Sequence, residues 1–224
     1  MNDLAGIIGL TLKLAGVTTA ILIVLATPLA WWLAKSTTWR SQMVGAVVSL
    51  PIVLPPTVLG FYLLIALGPH SVLMAPLQAM GIRTLAFTFT GLVIGSVVYS
   101  LPFAVQPLRN AFQGVDQDQL DSASTLGASA LSTFARVALP LSIPGYVVAA
   151  ILTFAHTIGE FGVVLMIGGS VPGKTEVIST RIYQLVESLQ YGEAHKLAAG
   201  VVVFSFAALL ALLLVDRRAG GAPR

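Results

Sequence analysis

The chain has 224 residues, of which 56% are hydrophobic and 9% charged, and its mean hydropathy is +0.91. Soluble domains contain about 25% charged residues, so the composition excludes an ordinary soluble protein and predicts an all-α, polytopic membrane protein. The absence of cysteine excludes disulfides and thiolate chemistry. The net charge of +3 rests on scattered basic residues, which predicts no nucleic-acid binding.

Five apolar segments are long enough to cross a bilayer, which takes about 20 helical residues. In chain order they cover residues 11–33, 43–67, 86–112, 141–167 and 197–215. The start of the chain has no basic region and no cleavage site, so we interpret the first segment as retained structure. The whole chain, residues 1–224, is then one transmembrane domain in the lipid bilayer.

Two polar segments separate the last three spans: the coupling loop (residues 114–140) and the outer loop (residues 168–195). The outer loop carries apolar residues at the spacing of one helix face, which predicts a surface helix. These residues are Ile178, Ile182, Leu185 and Leu189.

The distribution of basic residues predicts an N-terminus outside and a C-terminus in the cytoplasm. In this orientation seven basic residues face the cytoplasm: Lys35, Arg40, Arg109, Arg136, Arg217, Arg218 and Arg224. Five face outward: Lys13, Arg83, Lys174, Arg181 and Lys196.

The stretch GGSVPGKT, residues 168–175, fits the phosphate-binding pattern G-x-x-x-x-G-K-[ST]. A phosphate-binding loop needs a buried strand before it and converging backbone N–H groups. Here a membrane span precedes the loop, and Pro172 removes one N–H. We therefore attribute the match to chance and expect neither nucleotide binding nor catalytic residues in this chain.

The coupling loop is predicted to hold two short helices. Asp116 is suited to cap the first, and Gly127 to the left-handed turn that ends it. The apolar positions are Leu120 and Ala123 in the first helix, with Leu131 and Phe134 in the second. Such a projection either fits the groove of a partner or is only a structural amphipathic loop.

This stretch resembles the coupling motif of permeases from binding-protein-dependent ABC importers, E-A-A-x-x-x-G followed by a hydrophobic pair and L-P. Asp121 stands at the Glu position, Ser122 and Ala123 at the Ala positions and Gly127 at the glycine, and Val137, Leu139 and Pro140 complete the tail. The resemblance implies a type I importer permease with cytoplasmic coupling helices. A separate dimeric ATP-binding subunit would dock on seven coupling residues: Asp121, Ser122, Ala123, Gly127, Leu131, Phe134 and Pro140.

Two further stretches, LPIVLPPTVLGFYLL (residues 50–64) and HTIGEFGVVLMIGGSVPGKT (residues 156–175), resemble the molybdate permeases and their sulfate relatives. The resemblance implies an inner-membrane permease that forms its path as a dimer of two copies. An extracytoplasmic binding protein would deliver the anion, and no cofactor or resident metal is expected. Molybdate is the expected substrate, with tungstate and sulfate or thiosulfate as alternatives.

Prolines interrupt the second span at Pro51, Pro55 and Pro56. Proline frees backbone carbonyls, which in a membrane must face protein or a water-filled cavity. These residues are predicted to border the translocation path; the alternative is a kink that serves packing alone.

The fourth span contains two ionisable residues, His156 and Glu160, spaced to share one helix face. A carboxylate repels an oxyanion, so we predict that Glu160 shapes the helix or gate and can pair with His156. Gly159 and Gly162 flank it and allow close helix approach. The alternative is an interfacial pair without function.

Two other classes of protein fit the composition. A proton-coupled secondary transporter would use His156 and Glu160 as a relay, but such proteins show internal repeats, and none is found here. An intramembrane enzyme would need a metal or nucleophile site, and the three histidines, His70, His156 and His195, lack ligand spacing.

Overall fold

A computed structural model describes the main chain of residues 2–220 and the side chains of residues 4–214. The side chains of Arg217 and Arg218, and the whole of Arg224, which entered the orientation prediction, lie outside the described residues. Within the described part, the regular elements are helical: α1 (Asn2–Lys35), α2 (Trp39–Val53), α3 (Pro56–Leu67), a 3₁₀ turn (Val72–Met74), α4 (Ala75–Ala79), α5 (Phe89–Gln113), α6 (Gln117–Thr125), α7 (Ala130–Thr133), a π-helical turn (Phe134–Ala138), α8 (Leu139–Leu141), α9 (Ile143–Gly159), α10 (Gly162–Gly168), α11 (Ile178–Glu187) and α12 (Tyr191–Gly220).

Three of these helices are each long and apolar enough to cross a membrane: Leu4–Lys35 in α1, Phe89–Gln113 in α5 and Tyr191–Leu214 in α12. Two further candidates are bent pairs, α2 with α3 at 110° and residues 130–141 with α9 at 69°. By length and composition, five spans are reached only if each bent pair counts as one span, and the second pair covers residues 130–159, whereas the fourth span was predicted at 141–167. The first helix also begins about two turns before the predicted start at residue 11.

Helices α1, α5 and α9 form the centre of the bundle. Small residues let them approach closely: Ala26 and Ala30 of α1, Ala104 of α5 and Ala149 of α9 are fully buried. Larger apolar side chains fill the space between them, namely Leu22, Leu33, Val105, Leu108 and Phe112. The Thr27 hydroxyl also contacts the Tyr146 hydroxyl at 3.0 Å, which joins α1 to α9.

The proline-rich second span is two helices and not one kinked helix. Helix α2 ends at Val53, Leu54 is extended, and Pro56 begins α3. Because Pro55 and Pro56 carry no backbone N–H, they cannot continue the hydrogen bonds of α2. The chain therefore turns by 110° at this point, a larger change than the predicted kink.

The fourth predicted span is also broken. Helix α9 ends at Gly159, Glu160 is extended (φ −65°, ψ 127°), and α10 starts at Gly162. Helix α10 packs against α3 and α5. A Cβ at Gly162 would lie 2.7 Å from Pro56 Cβ, so only glycine permits this approach.

The predicted surface helix of the outer loop is present as α11, Ile178–Glu187. Its N-terminus is tied to α1, because Ile178 N–H donates to Thr11 Oγ1 at 3.0 Å. Leu185 is buried as the pattern predicts, but Leu189 lies beyond the helix at φ +58° and is exposed. The helix ends at Glu187, two residues before Leu189, so Leu189 does not share the buried face.

Candidate coupling surface and translocation path

The coupling loop has the predicted local geometry. The Asp116 carboxylate accepts a hydrogen bond from Asp118 N–H at 3.1 Å and caps α6. Gly127 has φ +84°, the left-handed region that glycine enters at no steric cost. Ser129 then caps α7 by accepting from Ser132 N–H, so each short helix has a defined start.

An apolar surface opens between α6 and α7. Leu126 and Leu131 are 89% and 76% exposed. Leu126 lines a cavity of about 590 Å³ together with Gly127, Val137 and several polar residues, whereas Leu131 is outside the lining. Large exposed apolar side chains around a cavity mark a contact site for another protein. Leu126 was missed in the sequence, although an apolar residue directly before the turn glycine was a usable signal.

Asp121 and Ser122 are exposed on α6, and Pro140 is exposed on α8. The Asp121 carboxylate accepts from Gln117 Nε2 at 2.9 Å, and Gln117 Oε1 accepts from Lys35 Nζ at 3.2 Å. This chain of contacts holds α6 against the end of α1. The predicted coupling residues therefore lie on one loop surface, with one exception.

Phe134 does not belong to the exposed surface. Its ring lies 5.2 Å from that of Trp31 and 5.8 Å from that of Phe112, centroid to centroid. The prediction that Phe134 faces a partner is therefore wrong. Its spacing from Leu131 assumed a continuous α-helix, but α7 ends at Thr133 and a π-helical turn follows, which rotates Phe134 inward.

In the membrane region, His156 contacts α5. Its Nδ1 lies 2.9 Å from Ser100 Oγ, and its ring stacks on Phe103 at a centroid distance of 4.0 Å. Ser100 Oγ also lies 3.3 Å from Thr157 Oγ1, which donates to Thr153 O. The imidazole is therefore fixed by its Nδ1 edge.

Glu160 directly follows α9, which ends at Gly159. The predicted pairing with His156 is not among the described contacts, because the imidazole Nδ1 lies against Ser100 Oγ. Both carboxylate oxygens of Glu160 are buried without a partner among the described residues, as is the nearby Ser96 hydroxyl. The backbone carbonyl of Glu160 accepts from Ser179 Oγ at 2.5 Å, so this residue connects the helix break to the outer loop.

The two glycines beside Glu160 differ. Gly162 makes the close approach to Pro56 described above, as predicted. Gly159 is exposed, and a Cβ there would meet no atom within 4 Å. The prediction of close packing at Gly159 is therefore wrong.

Pro51 is buried in α2, and its neighbour Ile52 lines a cavity of about 570 Å³ between α2, α5 and α9. Pro55 is exposed and Pro56 half-buried at the break that follows. The cavity lining includes Ile52 of α2 but none of the three prolines and no residue of α3.

The loop that fits the nucleotide pattern is closed on itself. The N–H groups of Lys174, Thr175 and Glu176 all donate to the carbonyl of Val171. Thr175 Oγ1 accepts from Val171 N–H at 2.9 Å and donates to the Gly168 carbonyl at 2.6 Å. These N–H groups are occupied and the preceding element is helix α10, so the geometry is not that of a phosphate-binding loop.

Among the described residues, no group of three histidine or acidic side chains lies close enough together to hold a metal ion. The remaining features are a paired-helix loop with an exposed apolar surface and broken membrane helices around a cavity.

The family described as "Binding-protein-dependent transport system inner membrane component" matches residues 26–219. The chain belongs to this family. It is accordingly a multi-pass permease subunit of the inner membrane, with the all-α fold and family that the coupling motif predicted.

Curated relatives narrow the subgroup of permeases. The chain is 55% identical to the molybdenum transport system permease protein ModB of Azotobacter vinelandii, over 94% of this chain and 93% of that one. It is 34% identical to the protein of the same name from Escherichia coli K12, over 84% and 80% of the two chains. It is also 31% identical to a probable sulfate transport system permease of Anthoceros angustus, over 81% and 63%.

Solved structures share the permease fold. A chain of a bacterial alginate ABC transporter, crystallised with its periplasmic protein, matches with a TM-score of 0.73 at 20% identity, over 97% of this chain and 78% of that one. A chain of the methionine ABC transporter in an inward-facing form matches with a TM-score of 0.67 at 18% identity, over 99% and 96%. At these identities the likeness shows the fold.

Proposed function

We propose that the chain is the membrane permease of an ATP-driven importer for molybdate. The observation that carries the proposal is the 55% identity to a molybdenum transport permease over nearly the whole of both chains. The fold and the coupling loop agree with a subunit that conducts the anion while another subunit hydrolyses ATP.

The coupling loop is the docking site for the ATP-binding subunit. Its leucines Leu126 and Leu131 are exposed, and Leu126 lines the cavity beside Gly127, a shape that receives an apolar side chain of a partner. In this assignment the ATPase activity resides entirely in the partner, which forms a dimer beneath two copies of the permease.

The translocation path lies between the two copies. The membrane region that would open and close is bordered by three features. They are the three prolines, the broken α9–α10 connection with His156, and the glycine contact at Gly162. The outer loop faces an extracytoplasmic binding protein that delivers the anion. This orientation, with an outer N-terminus, rests on the charge distribution alone.

Reconstituted vesicles test the proposed function. The complex of permease, ATP-binding subunit and molybdate-loaded binding protein should accumulate molybdate only with ATP, also after the pH gradient is collapsed. Uptake without ATP, or uptake that vanishes with the gradient, would favour a proton-coupled transporter. Competition by sulfate and tungstate in the same assay determines the anion preference.

Single cysteines test the orientation, because the chain has none of its own. Lys174 and Gln119 are both exposed and lie on the outer and coupling loops, whereas Ser170 is buried and unsuitable. An impermeant thiol reagent outside intact cells should label Lys174→Cys and spare Gln119→Cys. The reverse labelling would overturn the orientation and the docking assignment.

A further inference from the structure

The cavity between α2, α5 and α9 has a volume of about 570 Å³, within the range of about 300–1,000 Å³ that is usual for ligand sites. Most of its lining is apolar and includes Ile52 of α2, Phe103 of α5 and Leu152 of α9. Gln106 and Asn110, both of α5, contribute side-chain amides to the same lining.

These two amides lie four residues apart and therefore share one face of α5. Both side chains are exposed within the single copy. Gln106 Nε2 donates one long hydrogen bond, 3.4 Å, to Ser49 Oγ, and the Asn110 side chain has no hydrogen-bond partner among the described residues. Each amide carries two N–H donors, so donors remain available to a ligand.

The helices that line the cavity carry no negative charge. None of the three contains an aspartate or glutamate, and no acidic residue lines the cavity. Arg109 of α5 is also outside the lining; its guanidinium approaches α2 at Gly45. An anion in the cavity would therefore meet amide donors and no carboxylate.

The carboxylate nearest in sequence to these helices is Glu160, directly after α9. Both of its oxygens are buried, and it is absent from the cavity lining. The helix break therefore keeps a negative charge away from the cavity that α9 borders.

We propose that this cavity is a transient binding site for a tetrahedral oxyanion during transport, with Gln106 and Asn110 as hydrogen-bond donors. The inference rests on the proposed function and assigns residues to it. The cavity has room for an anion with part of its hydration shell. Neutral amides hold such an anion weakly, and conduction requires that it leave again.

The test uses isosteric charge changes in the full complex of permease, ATP-binding subunit and binding protein. Gln106→Glu and Asn110→Asp keep the shape of the side chain and place a carboxylate in the cavity. Gln113→Glu is the matched control, since Gln113 is also an exposed glutamine of α5 but does not line the cavity. Uptake of radiolabelled molybdate and ATP hydrolysis are both measured.

We expect Gln106→Glu and Asn110→Asp each to lower molybdate uptake by about tenfold or more, a factor that corresponds to about 1.4 kcal/mol. ATP hydrolysis stimulated by the loaded binding protein should persist, and Gln113→Glu should transport like the unaltered complex. Uptake within about twofold of the control would overturn the binding site.

A failure of the two variants to form dimers would also overturn it, because the cavity would then be filled by the second copy. If the unaltered complex takes up no molybdate, the proposed function fails. If the unaltered complex takes up molybdate and the variants do so equally well, only the cavity assignment fails.

Discussion

His156 is fixed to Ser100, with 2.9 Å between the imidazole Nδ1 and the serine hydroxyl. This contact joins α9 to α5 within the membrane region. The imidazole Nε2 has no hydrogen-bond partner among the described residues. The His156 ring is thus positioned by the contact of its Nδ1, while its Nε2 has no hydrogen-bond partner among the described residues of the single copy.

The His156–Ser100 contact predicts that hydrogen bonding matters more than charge at this position. His156→Gln should keep most of the ATP-driven uptake, because an amide can replace the bond to Ser100. His156→Leu should lower the thermal stability of the purified complex, since an unpaired buried polar group costs about 1–3 kcal/mol. Equal uptake and equal melting temperatures for the two variants would contradict the assignment.

Glu160 predicts a similar contrast between a polar and an apolar replacement. Glu160→Gln retains a hydrogen-bonding side chain beside Ser96 and should keep substantial ATP-driven uptake. Glu160→Leu should lose much more, because the buried Ser96 hydroxyl then faces a hydrocarbon side chain. The measurement is uptake in vesicles with the pH gradient collapsed. An inactive Glu160→Gln variant would point to a proton relay.

Gly162 and Gly159 form a matched pair. Gly162→Ala should prevent the approach of α10 to Pro56, since the added side-chain carbon would lie 2.7 Å from Pro56 Cβ; overpacking of this kind typically costs about 1–3 kcal/mol. Gly159→Ala meets no atom within 4 Å and should be tolerated. The measurement is the melting temperature of the detergent-purified dimer of each variant. Equal destabilisation by the two changes would contradict the close packing of Gly162 against Pro56.

The coupling loop predicts two kinds of defect. Leu126→Asp and Leu131→Asp change exposed side chains, so they should weaken binding of the ATP-binding subunit while the permease folds and inserts normally. Phe134→Asp should instead destabilise the permease itself, because its ring packs on Trp31 and Phe112. Co-purification of the ATP-binding subunit and melting of the isolated permease separate the two effects. Normal co-purification with both leucine variants would argue against docking at this surface.

The loop that fits the nucleotide pattern predicts a structural role for Thr175 and little role for Lys174. Lys174→Ala should leave ATP hydrolysis by the complex nearly unchanged. Thr175→Val removes the hydroxyl that bridges Gly168 and Val171, and should cost about 1–3 kcal/mol of stability. A loss of about tenfold or more in kcat for Lys174→Ala, equivalent to about 1.4 kcal/mol on the barrier, with assembly preserved, would reopen nucleotide binding.

The sequence alone determined the class of protein and the position of its local signals. Long apolar runs with few charges indicate membrane helices, and this signal does not depend on tertiary contacts. The cap at Asp116 and the left-handed turn at Gly127 were also predictable, because each depends on the chemistry of one residue and its nearest neighbours. The family was indicated by the resemblance of the coupling motif to that of binding-protein-dependent importer permeases.

The tertiary structure decided where helices break and which faces meet. Prolines at residues 55 and 56 predicted a kink, but the size of the turn, 110°, and the packing of Pro56 against Gly162 were known only from the structure. The pairing proposed for His156 and Glu160 depended on neighbouring helices, and the imidazole contacts Ser100 of α5 instead. Phe134 was assigned to the wrong surface because a π-helical turn changed its direction. Helical spacing predicts a shared face only while the helix is continuous, and contacts between distant segments determine where it ends.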